Sequence, residues 1–381
     1  MVRSPCSCRS LARASHGGFV MGGRQLTDPQ IPRIAHVWVR HLDRGYATEA
    51  LGALSGHLYE LTPRRRGALA GRSGVADVFS EASNLTPAVL KEHLDVRQLC
   101  ALCRLLSAGG YLPSEQLLQA AAAKVDEALN ARSLSRRDAE AAAELALAAC
   151  EAGHGQKLGS GLVQAICSAN INSTVEGEGL GGVGAASLAL AAASIGLADV
   201  TLLDSLVARC SAFEVDLDLA ALGELRLATS LVGPATIGSL DARATAFLRT
   251  LCSDALLDDP RSKAEDGEDV LTPLELEVSE ALNACETPHS QAAIIGGAFF
   301  PLVSHARGGV ICAEHVAAHA TYKNAPESRT AWQHWKYRAI DAMGLKVFVV
   351  LEGEWRSLVG EEERAAFMRQ VLQNPFQVSA S

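Results

Sequence analysis

Several sets of side chains in this sequence have the types and spacing from which chemistry is built. Cys100 and Cys103 form a C-x-x-C, the spacing of a redox pair or of half a zinc site. Glu314, His315 and His319, with His305 upstream, are metal-ligand types. Lys323, Arg329, Lys336, Arg338 and Lys346 near the C-terminus, and the run Arg64, Arg65 and Arg66, are cations suited to phosphate. Trp335 and Trp355 carry faces on which an unpaired base can stack.

Context narrows these options. No second cysteine pair sits at zinc-ribbon distance and no βαβ pattern surrounds the first, so Cys100 and Cys103 read as packing residues on an apolar helical stripe. The histidines lack a cysteine partner or an assured i, i+4 helical placement, so a metal set is not expected. Metal-dependent phosphodiester cleavage needs carboxylates on the ion and usually a lysine beside the attacking water. The apolar run 292–304 holds no acid, and no lysine follows Glu314 by two residues. No P-loop, dinucleotide fingerprint, nucleophile elbow or H-E-x-x-H occurs. The expectation is a protein without catalysis and without a cofactor. Trp355 reads first as a core residue docked between a strand and the last helix, with base stacking as the alternative. For Lys336, Arg338 and Lys346, phosphate contact and ordinary solvation both stay open.

The elements that must position these residues follow from pattern. The chain has 381 residues, 48% apolar and 20% charged, which excludes whole-chain disorder. It has no apolar run of 18 residues, which excludes a spanning helix and argues for no membrane partner. Aromatics are only 5% while Ala and Leu abound, favouring helices over a β sandwich. From about residue 90 to 252, apolar stripes at helical spacing alternate with short Gly turns. Val96, Leu99, Cys100, Cys103 and Leu106 make one stripe; Leu202, Leu203, Leu206, Val207 and Cys210 make another. Ser135 and Asp138 form an N-terminal capping arrangement. The turn glycines Gly110, Gly153, Gly196 and Gly233 stand 43, 43 and 37 residues apart, the period of helix-pair repeats. The fold expected is an α-solenoid-like helical repeat, with a Gly-rich loop over 172–184.

Three further segments stand apart. Residues 1–27 contain Arg3, Arg9, Arg13 and Arg24, several Ser and no acid, the composition of an organelle transit peptide. Residues 258–272, with Asp258, Asp259, Glu265, Asp266, Glu268 and Asp269, read as an acidic linker between a helical domain over 28–257 and an α/β domain over 273–375. The α/β domain reads as helix (274–285), strands (291–304 and 310–313), helix (327–343), strand (345–351) and helix (361–372). Charge divides unevenly. Residues 1–72 hold 11 Arg and 4 acids (+7), and residues 301–381 hold 9 basic and 8 acidic residues (+1). The total is −9, so residues 73–300 carry −17. Such a middle disfavours a generic polyanion binder.

The C-terminal stretch resembles the RAP domain, an RNA-binding domain abundant in apicomplexans. The likeness rests on Trp335-Lys336-Tyr337-Arg338, then Gly344-Leu345-Lys346-Val347, then Glu354-Trp355, Leu358 and the acid-started helix 361–372, in that order. About 40 residues match closely. The resemblance implies a small α/β domain similar to the restriction-endonuclease-like fold, behind helical repeats as in FAST-kinase-domain and octotricopeptide-repeat proteins. It makes Trp335, Gly344, Glu354 and Trp355 structural markers; Arg329, Lys336, Arg338 and Lys346, with Arg64, Arg65 and Arg66 as a further basic cluster, are RNA-contact candidates by their charge. Glu314 and His319 are what remains of a nuclease-type segment whose Gly and Pro are missing. The implied function is binding of organellar mRNA or rRNA, mitochondrial or alternatively plastid, in RNA processing, stability or ribosome assembly. The competing expectations are a protein-interaction scaffold or ribosome-associated subunit, for which the acidic middle speaks, and an endonuclease.

Overall fold

The structure is a computed structural model. It describes residues 12–15, 18–21, 24–26, 91, 94–108, 110–131, 135–170, 180–214, 217, 219–257, 271–295, 298–314, 321–322 and 324–377. Arg64, Arg65, Arg66, His315, His319 and Lys323 lie outside the described residues, as does nearly all of the acidic linker. Within the expected leader, β1 (Ala12–Ser15), β2 (Gly18–Met21) and β3 (Arg24–Leu26) form a three-stranded antiparallel sheet.

Among the described residues, eight helices follow: α1 (Val96–Ala108), α2 (Glu115–Asn130), α3 (Arg136–Glu151), α4 (Ser160–Asn170), α5 (Gly182–Ser194), α6 (Val200–Ala212), α7 (Leu219–Gly238) and α8 (Ala242–Leu257). A π-helical turn, Gly155–Gly159, leads into α4. The starts obey side-chain chemistry. Ser114 accepts from the Leu117 N–H, Asp199 from the Leu202 N–H, and Ser135 with Asp138 completes a reciprocal capping box. The stops obey backbone chemistry. Gly110, Gly153 and Gly196 adopt φ of 80°, 79° and 76°, the left-handed conformation that glycine enters without a Cβ penalty. The next N–H in each case reaches back to close the helix end, Tyr111 to Leu106 O, His154 to Ala149 O and Leu197 to Ala192 O, each at 2.9 Å. Gly233 adopts φ 79° and breaks α7 before Pro234.

The Gly-rich loop expected to reach residue 184 ends sooner, because α5 begins at Gly182. Its glycines serve close approach. A Cβ on Gly182 would stand 3.0 Å from Leu217 and Phe213, and one on Gly184 would stand 2.7 Å from Leu180 and 3.1 Å from the Glu140 backbone.

The helices pack as stacked pairs. α1, α3, α5 and α7 form one row, each against the next, while α2, α4, α6 and α8 each lean on their own partner. Small residues permit the tight spacing: Ala141, Ala142, Ala146 and Ala149 on α3, and Ala185, Ala189 and Ala192 on α5, are fully buried. Cys100, Cys103, Cys150 and Cys210 are buried free thiols, and burial pushes Cys103, Cys150 and Cys210 up to about 12. They pack as small hydrophobes.

The C-terminal unit starts slightly before residue 273. Leu271 is already buried, and Thr272 caps α9 (Pro273–Ala284) in a second capping box with Glu275. β4 (His289–Ile295), β5 (Ala298–Ser304), β6 (Gly309–Glu314) and β9 (Lys346–Leu351) make a four-stranded sheet in the order β4-β5-β6-β9. The first three are an antiparallel meander, and β9 runs parallel to β6. Between them lie the small pair β7 (Thr321–Tyr322) and β8 (Ala325–Arg329), then α10 (Ala331–Ala342); α11 (Glu352–Arg356) and α12 (Glu361–Gln373) follow β9. The helix expected from residue 327 thus begins at 331, because Ala325–Arg329 pairs as a strand. Both faces of the sheet are covered. Leu302, Ile311, Phe348 and Val350 pack against α9 and α12, while Val303, Val310, Cys312 and Val347 pack against Tyr337 and Ile340 of α10. Two-sided burial is why residues 347–350 are continuously apolar.

Candidate nucleic-acid interface

The basic residues expected to meet phosphate do not share one surface. Lys336 stands exposed on α10, six residues or about 9 Å of helix rise before its end. Lys346 is exposed at the start of β9, opposite Gly309 in register, with its N–H on the Gly308 carbonyl at 3.1 Å. Arg307, which sequence reasoning passed over, is exposed in the turn before β6 and so stands at the same end of the sheet as Lys346. A charged residue ahead of Gly308-Gly309 carried no motif; only the register of β6 on β9 brings it beside Lys346. None of these three is in an ion pair among the described residues.

Arg329 and Arg338 are engaged elsewhere. Arg329 lies 3.6 Å from Glu314 and sits over the Phe376 ring at 5.0 Å. Arg338 donates through Nη1 to the Ser194 carbonyl at 2.7 Å, and partial burial lowers its basicity. It joins the α/β unit to α5 and is not part of the exposed set.

The markers sort in the same way. Gly344 has φ 76° and ends α10, with the Leu345 N–H on Ile340 O at 3.2 Å. Glu354 is exposed. Trp355 is fully buried beside Phe367, and its Nε1–H donates to Glu277 at 2.9 Å. Glu277 also takes Arg356 at 2.6 Å and Arg364 at 3.2 Å. Hydrogen bonds from Arg356 and then Trp355 hold its carboxyl below the usual range. Glu314 is buried at the end of β6. It accepts from Gln333 Nε2 at 2.8 Å, and Gln333 also bonds the Tyr337 hydroxyl at 2.9 Å. Among the described residues no group of three or more His, Cys, Asp or Glu is placed to hold a metal ion.

A second polar centre was not legible in the sequence. Arg104 on α1 donates at 2.7 Å both to Glu151 on α3 and to Glu224 on α7. One guanidinium spans only a few ångströms, so the row of α1, α3, α5 and α7 curls enough to bring its first and last members together around a trough. α10 packs on α7 and α3 in that trough. Trp335 is buried in the core of the helical stack, Trp332 Nε1–H donates to Glu151 at 2.7 Å, and the Tyr322 hydroxyl donates to the Glu151 carbonyl at 2.5 Å. Trp335 therefore anchors the α/β unit to the helices.

The chain matches no protein-family model and none of the curated proteins with which it was compared. The likeness to RAP domains rests on the residues quoted above.

Proposed function

We propose that this is an organellar RNA-binding protein, mitochondrial or alternatively plastid, acting in RNA processing, stability or ribosome assembly without catalysis of its own. We read its helical part as an α-solenoid. We read its C-terminal part as a RAP-like, restriction-endonuclease-like unit; the order helix, antiparallel meander, helix, parallel strand speaks for it. The observation that carries the functional reading is the exposure of Lys336, Lys346 and Arg307 on the α/β unit, outside the ion pairs that engage Arg329, Arg356 and Arg364. Such side chains suit sequence-independent phosphate contact. With the trough of the helical row occupied by α10, RNA is taken up on the outer surface of the unit.

The test is a titration of the full chain with single-stranded RNA over a range of salt. Each neutralised phosphate contributes a slope of about −0.7 in log K against log salt, so two or three contacts give roughly −1.4 to −2.1. Lys336→Glu with Lys346→Glu should flatten the slope by about 1.4 and weaken binding to all sequences alike. An unchanged slope removes these residues from the site. No binding at low salt favours the protein-scaffold reading.

A further inference from the structure

Of the three tryptophans among the described residues, two are buried: Trp335 at 5% exposure and Trp355 at 0%. The third, Trp332, is 37% exposed. It is not a loose surface side chain. Its Nε1–H donates to Glu151 Oε1 at 2.7 Å, and the Trp335 ring stands 5.9 Å away, tilted by 57°. Glu151 is itself fixed, because the same oxygen takes Arg104 at 2.7 Å, and that guanidinium counters the carboxylate charge beside the indole. The polar edge of Trp332 is thus turned into the protein, and the ring is pinned at the rim of the trough.

Lys336 lies four residues further along α10. Residues i and i+4 are neighbours on one helix face, about 6 Å apart. Lys336 is exposed and in no ion pair among the described residues. The residues between them are committed elsewhere: Gln333 to Glu314 and Tyr337, and Trp335 to the helical core. The open strip of α10 therefore sets an aromatic ring beside a cation. Single-stranded nucleic acid is held by that combination, the ring taking a base and the cation a phosphate, with one sugar between them. In a duplex the bases stack on each other and present no face to the ring, so an unpaired nucleotide is the ligand that uses both groups.

We propose that Trp332 is a base-stacking platform and Lys336 its phosphate contact, together seating one unpaired nucleotide of an RNA strand at the rim of the trough. The proposal rests on the RNA-binding reading above and adds to it a requirement for an unpaired base. Every base has a π face, so the site selects single strand over duplex rather than one sequence over another. The pinned indole has little freedom left to lose on binding, which favours affinity.

The experiment titrates the full chain, over a range of salt, with a single-stranded uridine oligonucleotide and with the same backbone made abasic. Trp332→Leu should weaken binding of the intact oligonucleotide about tenfold. Its slope of log K against log salt should stay that of the wild type, since no phosphate contact is lost. On the abasic backbone the same variant should bind like the wild type. Lys336→Ala should instead flatten the slope by about 0.7 on both strands. A Trp332→Leu variant that loses nothing on the intact strand, or loses equally on both, overturns the platform, while a slope change from Lys336→Ala leaves the RNA-binding reading standing. A wild-type chain that binds neither strand at low salt overturns both. If Trp332→Leu fails to fold, the wild-type chain is irradiated with an oligonucleotide carrying 5-bromouridine. A covalent adduct at Trp332 supports the platform, and its absence there overturns it.

Discussion

Replacing Trp355 with alanine separates the two roles weighed for this indole, core packing and base stacking. The ring is fully buried against Phe367, with ring centroids 6.2 Å apart, and under the Arg364 guanidinium at 5.3 Å. Truncating a buried aromatic costs about 3–5 kcal/mol, most of it as lost transfer free energy and residual cavity. The lost Nε1–H bond to Glu277 adds little, on the order of 1 kcal/mol, because Arg356 and Arg364 keep that carboxylate satisfied. Urea unfolding followed by near-UV circular dichroism reads the change as a drop in midpoint. Lys336→Ala, on an exposed side chain, should stay within ~0.5 kcal/mol of wild type and serves as the reference. If Trp355→Ala unfolds at the wild-type midpoint yet no longer binds RNA, the indole is a stacking platform and its assignment to the core is refuted.

Gly344→Ala should destabilise by about 1–2 kcal/mol through backbone strain alone, since φ is 76° and nothing lies within 4 Å of the added Cβ. The urea midpoint should fall at constant m-value, and no shift would mean that the turn relaxes freely. The acid-free stretch 1–27 with four arginines motivates the proposal of import into an organelle, so residues 1–40 fused to a fluorescent reporter should collect in mitochondria or plastids; a diffuse cytosolic signal defeats that reading.

What the sequence revealed is what local chemistry dictates. The turn glycines, the Ser135–Asp138 capping box and the Val347–Val350 run mark boundaries because each acts within a few residues of itself. The helix start at Ala331 was obscured because Ala325–Arg329 takes its conformation from pairing with Thr321–Tyr322 across a turn. The junction was hidden for a stronger reason. Arg104 meets partners 47 and 120 residues away, and Trp332 meets one 181 residues before it. Glu151 and Glu224, on stretches rich in Ala and Leu, look like ordinary solvated acids until the curl of the row encloses them. Arg338 was misleading in the same way: beside Lys336 in the chain, it points to another helix. Trp335 and Trp332, one turn apart on α10, were the best available hint that this helix is buried on more than one side.

The helix that fills the trough is made long after the trough. α8 ends at Leu257 and α10 at Ala342, about 85 residues later. At ~5–20 residues per second a ribosome needs roughly 4–17 seconds to cover that distance. During that interval the nascent helical row has its walls but not its filling. The apolar surface that will receive Trp335, and the carboxylate that will receive Trp332, face the surrounding solution, so this stretch of synthesis is when the chain is most open to capture by a chaperone or by a neighbouring copy.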